Sequence, residues 1–301
     1  MTTFCNFLEQ KGIDSELKSV LCSLKDSVKK ISEAIKTADT GRAGSTNIYG
    51  EEQLALDVLS DRIIQDELKK NEVVGLLASE ELPEETKVGD GPYAVCYDPL
   101  DGSSLVDVNL AVGSIFGIYK ADTFIGRKGD EMLASMFAVY GPRTTIVLTV
   151  KNGVVEFSLK DGNFVLSNDE VKITNDKKMF APGNLRACKT EPNYVKLMEY
   201  WMKEQYTLRY SGGMVPDINQ ILLKGCGIFT YPAYPDAPNG KLRLLFECAP
   251  MSLLMEQAGG KSTDSRGKRI LEIEIRELSQ RTPIFIGATE EVDIAEKFIN
   301  T

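Results

Sequence analysis

An apolar run, Tyr93-Ala94-Val95-Cys96, passes directly into Tyr97-Asp98-Pro99-Leu100-Asp101-Gly102-Ser103-Ser104. The run reads as a buried strand that ends in a turn. A buried strand has to lie in a sheet with further layers packed on it. Pro99 fixes one backbone angle of the turn, so Asp98 and Asp101 are held in a rigid frame. Gly102 lets a ligand approach the backbone, and Ser103 and Ser104 add hydroxyl and N–H donors. Carboxylates bind hard cations, and clustered donors bind phosphate. One short loop therefore suits both halves of a metal–phosphate site. The plainer reading is a capped turn, with Ser103 or Ser104 starting a helix.

The chain has no histidine. That excludes a Ser-His-Asp triad, a histidine base, a phosphohistidine intermediate and His-ligated zinc. Hydrolytic chemistry would run on carboxylates and an oxygen-bound cation, for which Mg²⁺ or Mn²⁺ is suited. The formal net charge of −9 argues against non-specific nucleic-acid binding. No apolar run approaches membrane-spanning length, so no membrane role is expected. The opening residues lack a basic region before an apolar one, unlike a signal peptide. Six cysteines are scattered without a CxxC pair. They read as packed thiols, and the expected compartment is a reducing, cytoplasmic one.

Along the chain, Leu17, Leu21, Leu24, Val28, Ile31 and Ile35 predict an amphipathic helix over residues 14–37. Further helices are predicted at 51–70, 192–204, 216–224 and 241–258. Strands are predicted at 73–78, before Asp98, and at 112–119, 144–150, 154–159, 164–167, 228–231 and 283–287. A shift in composition places a soft boundary near residue 175. The 1–175 part carries most of the acidic candidates, and the 176–301 part most of the basic ones. The two are expected to share one site in a layered α/β architecture of helices and mixed sheets.

Glu80 and Glu81 end one predicted strand, and Asp98 and Asp101 end another. If those strands are neighbours, four carboxylates converge at one sheet edge. Glu51 and Asp57 lie on the next predicted helix. Glu247 sits in the apolar stretch Leu244-Leu245-Phe246-Glu247-Cys248-Ala249 and needs a partner or a cation, Arg243 being one option. Taken singly, each is as readily a solvated or paired charge. The basic half offers Arg209-Tyr210-Ser211-Gly212-Gly213, Lys241-Leu242-Arg243, Tyr231 and Arg186. Lys241 and Arg243 alternate as on an extended segment, and both suit a phosphate.

Together with Ala43-Gly-Ser-Thr-Asn47, Leu56-Asp-Val-Leu-Ser-Asp61, Ser79-Glu-Glu81, Gly113-Ser-Ile-Phe-Gly-Ile-Tyr119 and Gly240-Lys-Leu-Arg-Leu-Leu-Phe-Glu247, the Asp98–Ser104 motif resembles the sugar-bisphosphatase family. That family comprises fructose-1,6- and sedoheptulose-1,7-bisphosphatases. The resemblance runs from Ser15 to Phe298. It implies an α/β/α/β/α sandwich, a homodimer or homotetramer, and Mg²⁺- or Mn²⁺-dependent hydrolysis of a sugar bisphosphate. It assigns Glu51, Glu80, Asp98, Asp101, Glu247 and the Leu100 carbonyl to cations, and Asp57 and Glu81 to the attacking water. Asp101, Gly102, Ser103 and Ser104 would meet the reacting phosphate. Gly183, Asn184, Arg186, Arg209, Tyr210, Gly212, Gly213, Met214, Tyr231, Lys241 and Arg243 would hold the sugar and the distal phosphate.

The stretches 141–145, 178–187 and 206–220 resemble the sedoheptulose enzyme, and Arg186 in the distal loop suits a longer sugar. The expected reaction is therefore release of the 1-phosphate of sedoheptulose-1,7-bisphosphate. The alternatives are fructose-1,6-bisphosphatase or a dual-specificity enzyme, an inositol-type monophosphatase, and a non-enzymatic metabolite sensor. No cysteine lies between Cys22 and Cys96, where chloroplast relatives carry a thiol switch, so redox-independent activity is expected. Pro92 and Lys18 replace the Lys and Thr of AMP-sensitive relatives, which argues against inhibition by AMP.

Overall fold

The computed structural model describes residues 1–37, 42–46 and 52–301, the side chains of 42–46 and 52–54 excepted. Glu51 lies outside the described residues. The chain begins with helices α1 (Phe4–Gln10) and α2 (Ser15–Thr37). Strands β1 (Arg42–Thr46) and β2 (Glu52–Leu54) pair with each other and lead into helix α3 (Ala55–Leu68). The helix predicted to start at 51 therefore starts at Ala55, because residues 52–54 are taken up in that pairing.

Eight strands form the larger sheet. They are β3 (Val74–Ser79), β4 (Thr86–Lys87), β5 (Tyr93–Asp101), β6 (Val112–Lys120), β7 (Ala134–Tyr140), β8 (Thr144–Thr149), β9 (Val155–Lys160) and β10 (Asn163–Asn168). Their order is β10-β9-β8-β7-β6-β5-β3-β4. The β3–β5 pair is parallel, so Glu80–Glu81 and Asp98 leave the same sheet edge side by side. Strand β7 lies outside the predicted set, since Ala, Ser and Met in its run dilute the β-branched signal.

The remaining elements are β11 (Met179–Pro182), α4 (Pro192–Lys203), β12 (Thr207–Leu208), α5 (Met214–Lys224), β13 (Ile228–Tyr231), β14 (Leu242–Arg243), α6 (Ala249–Gln257), β15 (Lys261–Thr263), β16 (Arg281–Thr282), β17 (Ile284–Gly287) and α7 (Thr289–Ile299). Five of these strands form a second mixed sheet in the order β12-β11-β13-β17-β15, and β14 pairs with β16. The predicted helix over 241–258 resolves into β14, one wide π turn over Leu244–Cys248, and α6. Pro250 explains the late start. It has no N–H to donate and sits in the first turn of α6, where none is needed.

The strand period of two sorts the larger sheet into two cores. Tyr93, Val95 and Tyr97 face α2 and α3, together with Leu24, Val28, Leu56 and Ile64. Ala94 and Cys96 face the opposite way, toward Met214, Ile218, Met251 and Leu254 of α5 and α6. Those helices also cover Ala181, Phe229 and Ile286 of the second sheet. The far side of that sheet carries α4 and α7 through Phe180, Trp201, Phe285 and Val292. The result is the layered α/β/α/β/α order. Among the described residues no helix is long and apolar enough to cross a membrane.

One expectation is corrected here. Cys5 and Cys22 are joined in a disulfide linking α1 to α2; Cys96, Cys226 and Cys248 are buried thiols and Cys188 is partly exposed. Sequence spacing alone cannot reveal a pairing set by how two helices cross. The bond fastens the segment that closes the sheet edge. Thr3 bridges to Val165, Leu166 N–H donates to the Thr2 carbonyl at 2.9 Å, and Phe4 and Phe7 pack on Phe157. For a span of 17 residues the cross-link stabilises by about 3 kcal/mol. Cys5→Ser is expected to lower the melting temperature of oxidised protein by a few degrees and to leave turnover unchanged, as read by thermal melting and phosphate release with and without dithiol. An identical melting curve would show that the edge holds without the bond.

Candidate active site

Asp98 and Asp101 are three residues apart on one strand, so regular pleating would send them to opposite faces. The pairing of β5 with β6 shifts between them: Asp98 faces Ile115 while Asp101 faces Gly113. The extra residue forms a bulge that turns both carboxylates the same way. Pro99 is tolerated there because a bulge needs no ladder donor. Ser114 Oγ donates to the Pro99 carbonyl at 2.7 Å, and Asp98 Oδ1 accepts the Leu100 N–H at 2.9 Å. The bulge is thus held by its own polar groups.

Gly113 has a second consequence. A Cβ there would stand 2.3 Å from a Val215 methyl carbon and 2.4 Å from the Ala138 carbonyl oxygen. Its absence lets the start of α5 close on the loop. The Asp101 carboxylate accepts the Val215 N–H at 2.6 Å and the Met214 N–H at 3.3 Å. A carboxylate at a helix N-terminus meets two unsatisfied donors and the positive end of the dipole. Gly102 follows with φ of 75°, a left-handed turn that suits glycine.

Glu247 comes from the other half of the chain. The π turn places its carboxylate beneath Arg243, whose backbone N–H it accepts. One oxygen each of Asp98, Asp101 and Glu247 lies within 4.8 Å of the others, and all three residues are buried. Burial raises the pKa of Asp98 well above the carboxylate range, and the charges of Glu80, Asp101 and Glu247 add to it. Glu247 is raised for the same reasons, burial first and then Glu80 and Asp101. Asp101 rises to about 6 through burial, offset in part by the Val215 and Met214 N–H groups. Three buried acids with no ring nitrogen or thiolate among them fit a hard divalent cation, whose charge removes the repulsion.

A cleft of about 310 Å³ opens over this trio. Asp57, Glu80, Glu81, Leu100, Gly102, Ser103, Ser104, Tyr210, Gly212, Gly213, Met214, Tyr231, Lys241 and Arg243 line it as well. Lys241 is exposed, whereas Arg243 is buried. The Arg243 Nε is 3.4 Å from Glu80 Oε1. Arg243 therefore borders both the acidic cluster and the cleft.

Four expected substrate contacts do not line the cleft. Arg186 and Arg209 are exposed. Gly183 backs the Tyr231 ring, and Asn184 Nδ2 donates to the Pro232 carbonyl at 3.0 Å. Arg186 still lies near enough to Tyr231 to draw its phenol pKa down, although burial leaves that group at about 12. Phe229 and Leu242 supply an apolar wall that the charged pattern did not announce. Asp217 was likewise hidden in the sequence. It accepts the Ser211 N–H at 2.9 Å and so shapes the loop before α5.

The family profiles for the N-terminal and C-terminal domains of fructose-1,6-bisphosphatase match residues 5–169 and 173–300. The chain belongs to the fructose-1,6-bisphosphatase family. A class 1 fructose-1,6-bisphosphatase of Trichlorobacter lovleyi is 47% identical over 99% of this chain and 95% of its own length. A chloroplastic sedoheptulose-1,7-bisphosphatase of Spinacia oleracea is 42% identical over 97% of this chain and 76% of its own. The holo crystal structure of Leishmania major fructose-1,6-bisphosphatase superposes with a TM-score of 0.93 at 34% identity, covering 100% of this chain and 99% of that one. This family member is a sugar bisphosphatase by its relatives, and its cleft collects the acidic groups that such chemistry uses.

Proposed function

We propose that the chain hydrolyses the 1-phosphate of a ketose bisphosphate, with fructose-1,6-bisphosphate as the principal substrate. The observation that carries the reaction class is the buried Asp98–Asp101–Glu247 trio beneath a cleft whose floor also offers Gly102, Ser103 and Ser104. Divalent cations, Mg²⁺ or Mn²⁺, held by the trio with Glu80 would neutralise phosphate charge and the leaving alkoxide. The Gly102–Ser104 segment donates to the phosphate undergoing cleavage. Asp57 and Glu81 face the same space and take the proton of the attacking water. Tyr210, Tyr231 and Lys241 stand across the cleft, where the sugar and its second phosphate extend. Glu51 is kept as a further acidic contributor, and a homodimer or homotetramer as the working assembly.

The choice of sugar follows the fructose-1,6-bisphosphatase relatives, which share more of this sequence than the spinach sedoheptulose enzyme does. The preference for the seven-carbon sugar drawn from Arg186 is set aside, since Arg186 stands outside the cleft lining. Sedoheptulose-1,7-bisphosphate is retained as a second substrate, because the charge of Arg186 is felt at Tyr231 of the cleft lining. Phosphate release from the two bisphosphates at matched concentrations tests this. The six-carbon substrate is expected to have the higher kcat/KM, by about tenfold, the scale on which one carbon unit is discriminated. A reversed ratio would return the seven-carbon sugar to first place. Absence of release from either would defeat the reaction class.

A further inference from the structure

Outside the cleft lining lies a buried carboxylate with no role so far, Asp61. Asp61 stands one turn beyond Asp57 on α3, so the two share a helix face. It is buried, and its Oδ1 accepts two hydroxyl protons, from Ser79 Oγ at 2.7 Å and from Tyr97 OH at 3.0 Å. Its Oδ2 accepts Gln65 Nε2 at 2.7 Å. Ser79 and Tyr97 are paired across β3 and β5, and each immediately precedes an acidic residue of the cleft, Glu80 and Asp98.

The direction of these bonds matters. A serine hydroxyl has one proton. Because Asp61 takes it, a Ser79 lone pair is left to accept the Glu81 N–H, at 3.2 Å. The Glu80 N–H in turn donates to the Tyr97 carbonyl at 3.1 Å. The backbones of both Glu80 and Glu81 are thereby tied to the Asp61 network, and the Tyr97 ring is pinned one residue before Asp98.

We infer that Asp61 is a positioning residue for the cation site: through Ser79 and Tyr97 it fixes the two parallel strand ends that deliver Glu80, Glu81 and Asp98. Hydrogen-bond partners that orient ligating carboxylates act on affinity without touching the cation. The inference rests on the metal-dependent reading above, and it extends the site to a residue outside the cleft lining.

The test uses Asp61→Ala, Asp61→Asn, Ser79→Ala and Tyr97→Phe. Mn²⁺ binding is read by the paramagnetic signal of the free ion, alongside kcat, sugar KM and thermal melting. Asp61→Ala and Ser79→Ala are expected to weaken Mn²⁺ binding by about tenfold or more and to lower kcat. Sugar KM should stay within about twofold, because the distal contacts are untouched. Tyr97→Phe removes one of two donors and keeps the ring, so it gives a smaller loss in a protein that folds. Asp61→Asn retains an oxygen acceptor for both hydroxyls and should recover most of the affinity. The inference is overturned if Tyr97→Phe and Ser79→Ala bind Mn²⁺ as wild type does. It is overturned equally if melting temperature and sugar KM change while Mn²⁺ affinity does not. Wild-type protein that fails to bind Mn²⁺ would remove the metal reading itself, which separates the two failures.

Discussion

Asp98→Asn is expected to cut turnover by about a hundredfold or more while raising the melting temperature of the metal-free protein. A hundredfold corresponds to about 2.7 kcal/mol of barrier, within what one ligand to a catalytic cation supplies. The stability change runs the other way. Asp98 is buried beside three other acids, and its ionised form is disfavoured by that burial and then by Glu80, Asp101 and Glu247. Removing its charge relieves the crowding. The Leu100 N–H bond survives, because Asn keeps the Oδ1 acceptor. Gains of about 0.5–2 kcal/mol are ordinary when a strained functional site is neutralised. Phosphate release and thermal melting in chelator are the measurements. Near-normal turnover would move the chemistry away from the trio, and a variant that melts below wild type in chelator would refute the account of mutual repulsion.

Divalent cations are expected to raise the melting temperature strongly at pH 8 and scarcely at pH 5, and excess chelator to abolish activity. The sign follows from Asp101, whose pKa is lifted from 3.8 to about 6 in the folded protein. Between about 4 and 6, the folded chain holds a proton that the unfolded chain has lost. Stability of the metal-free protein therefore falls as pH rises through that window. The part due to Asp101 levels off only once the pH is well past 6. Asp98 and Glu247 are shifted the same way and extend the effect to higher pH. A cation must displace these protons at pH 5, whereas at pH 8 it meets ionised acids. Melting curves with Mn²⁺ and with chelator at the two pH values measure the difference. Equal shifts at pH 5 and pH 8 would show that the cation binds elsewhere.

The sequence carried the chemistry of the site further than its geometry. The Asp98–Ser104 loop, the absence of histidine and the isolated Glu247 each point to oxygen-ligated cations from residue type alone. Convergence of the four acids requires β3 and β5 to be neighbours, and the sheet order makes them so. What stayed hidden depends on long-range partners. Counting residues puts Asp98 and Asp101 on opposite faces; only the pairing with β6 reveals the bulge that unites them. The approach of Arg243 to Glu80 is not legible in the Lys241-Leu242-Arg243 pattern. Asp61 reads as one more helix charge until Ser79 and Tyr97 arrive from separate strands. Cys5 and Cys22 look like ordinary thiols until two helices are crossed. Period and propensity are local signals, and each of these contacts joins segments far apart in the chain.

The trio draws two of its acids from the bulge of β5 and the third from the turn before α6. A growing chain thus exposes Asp98 and Asp101 long before their companion is synthesised. Until Glu247 arrives, the loop is a pair of acids at an open sheet face, poor at holding an ion. On the proposed cation reading, capture of the ion would require the turn before α6 to have docked on the bulge of β5. A chain that stops short of Glu247 keeps the recognisable loop but lacks one acid of the trio.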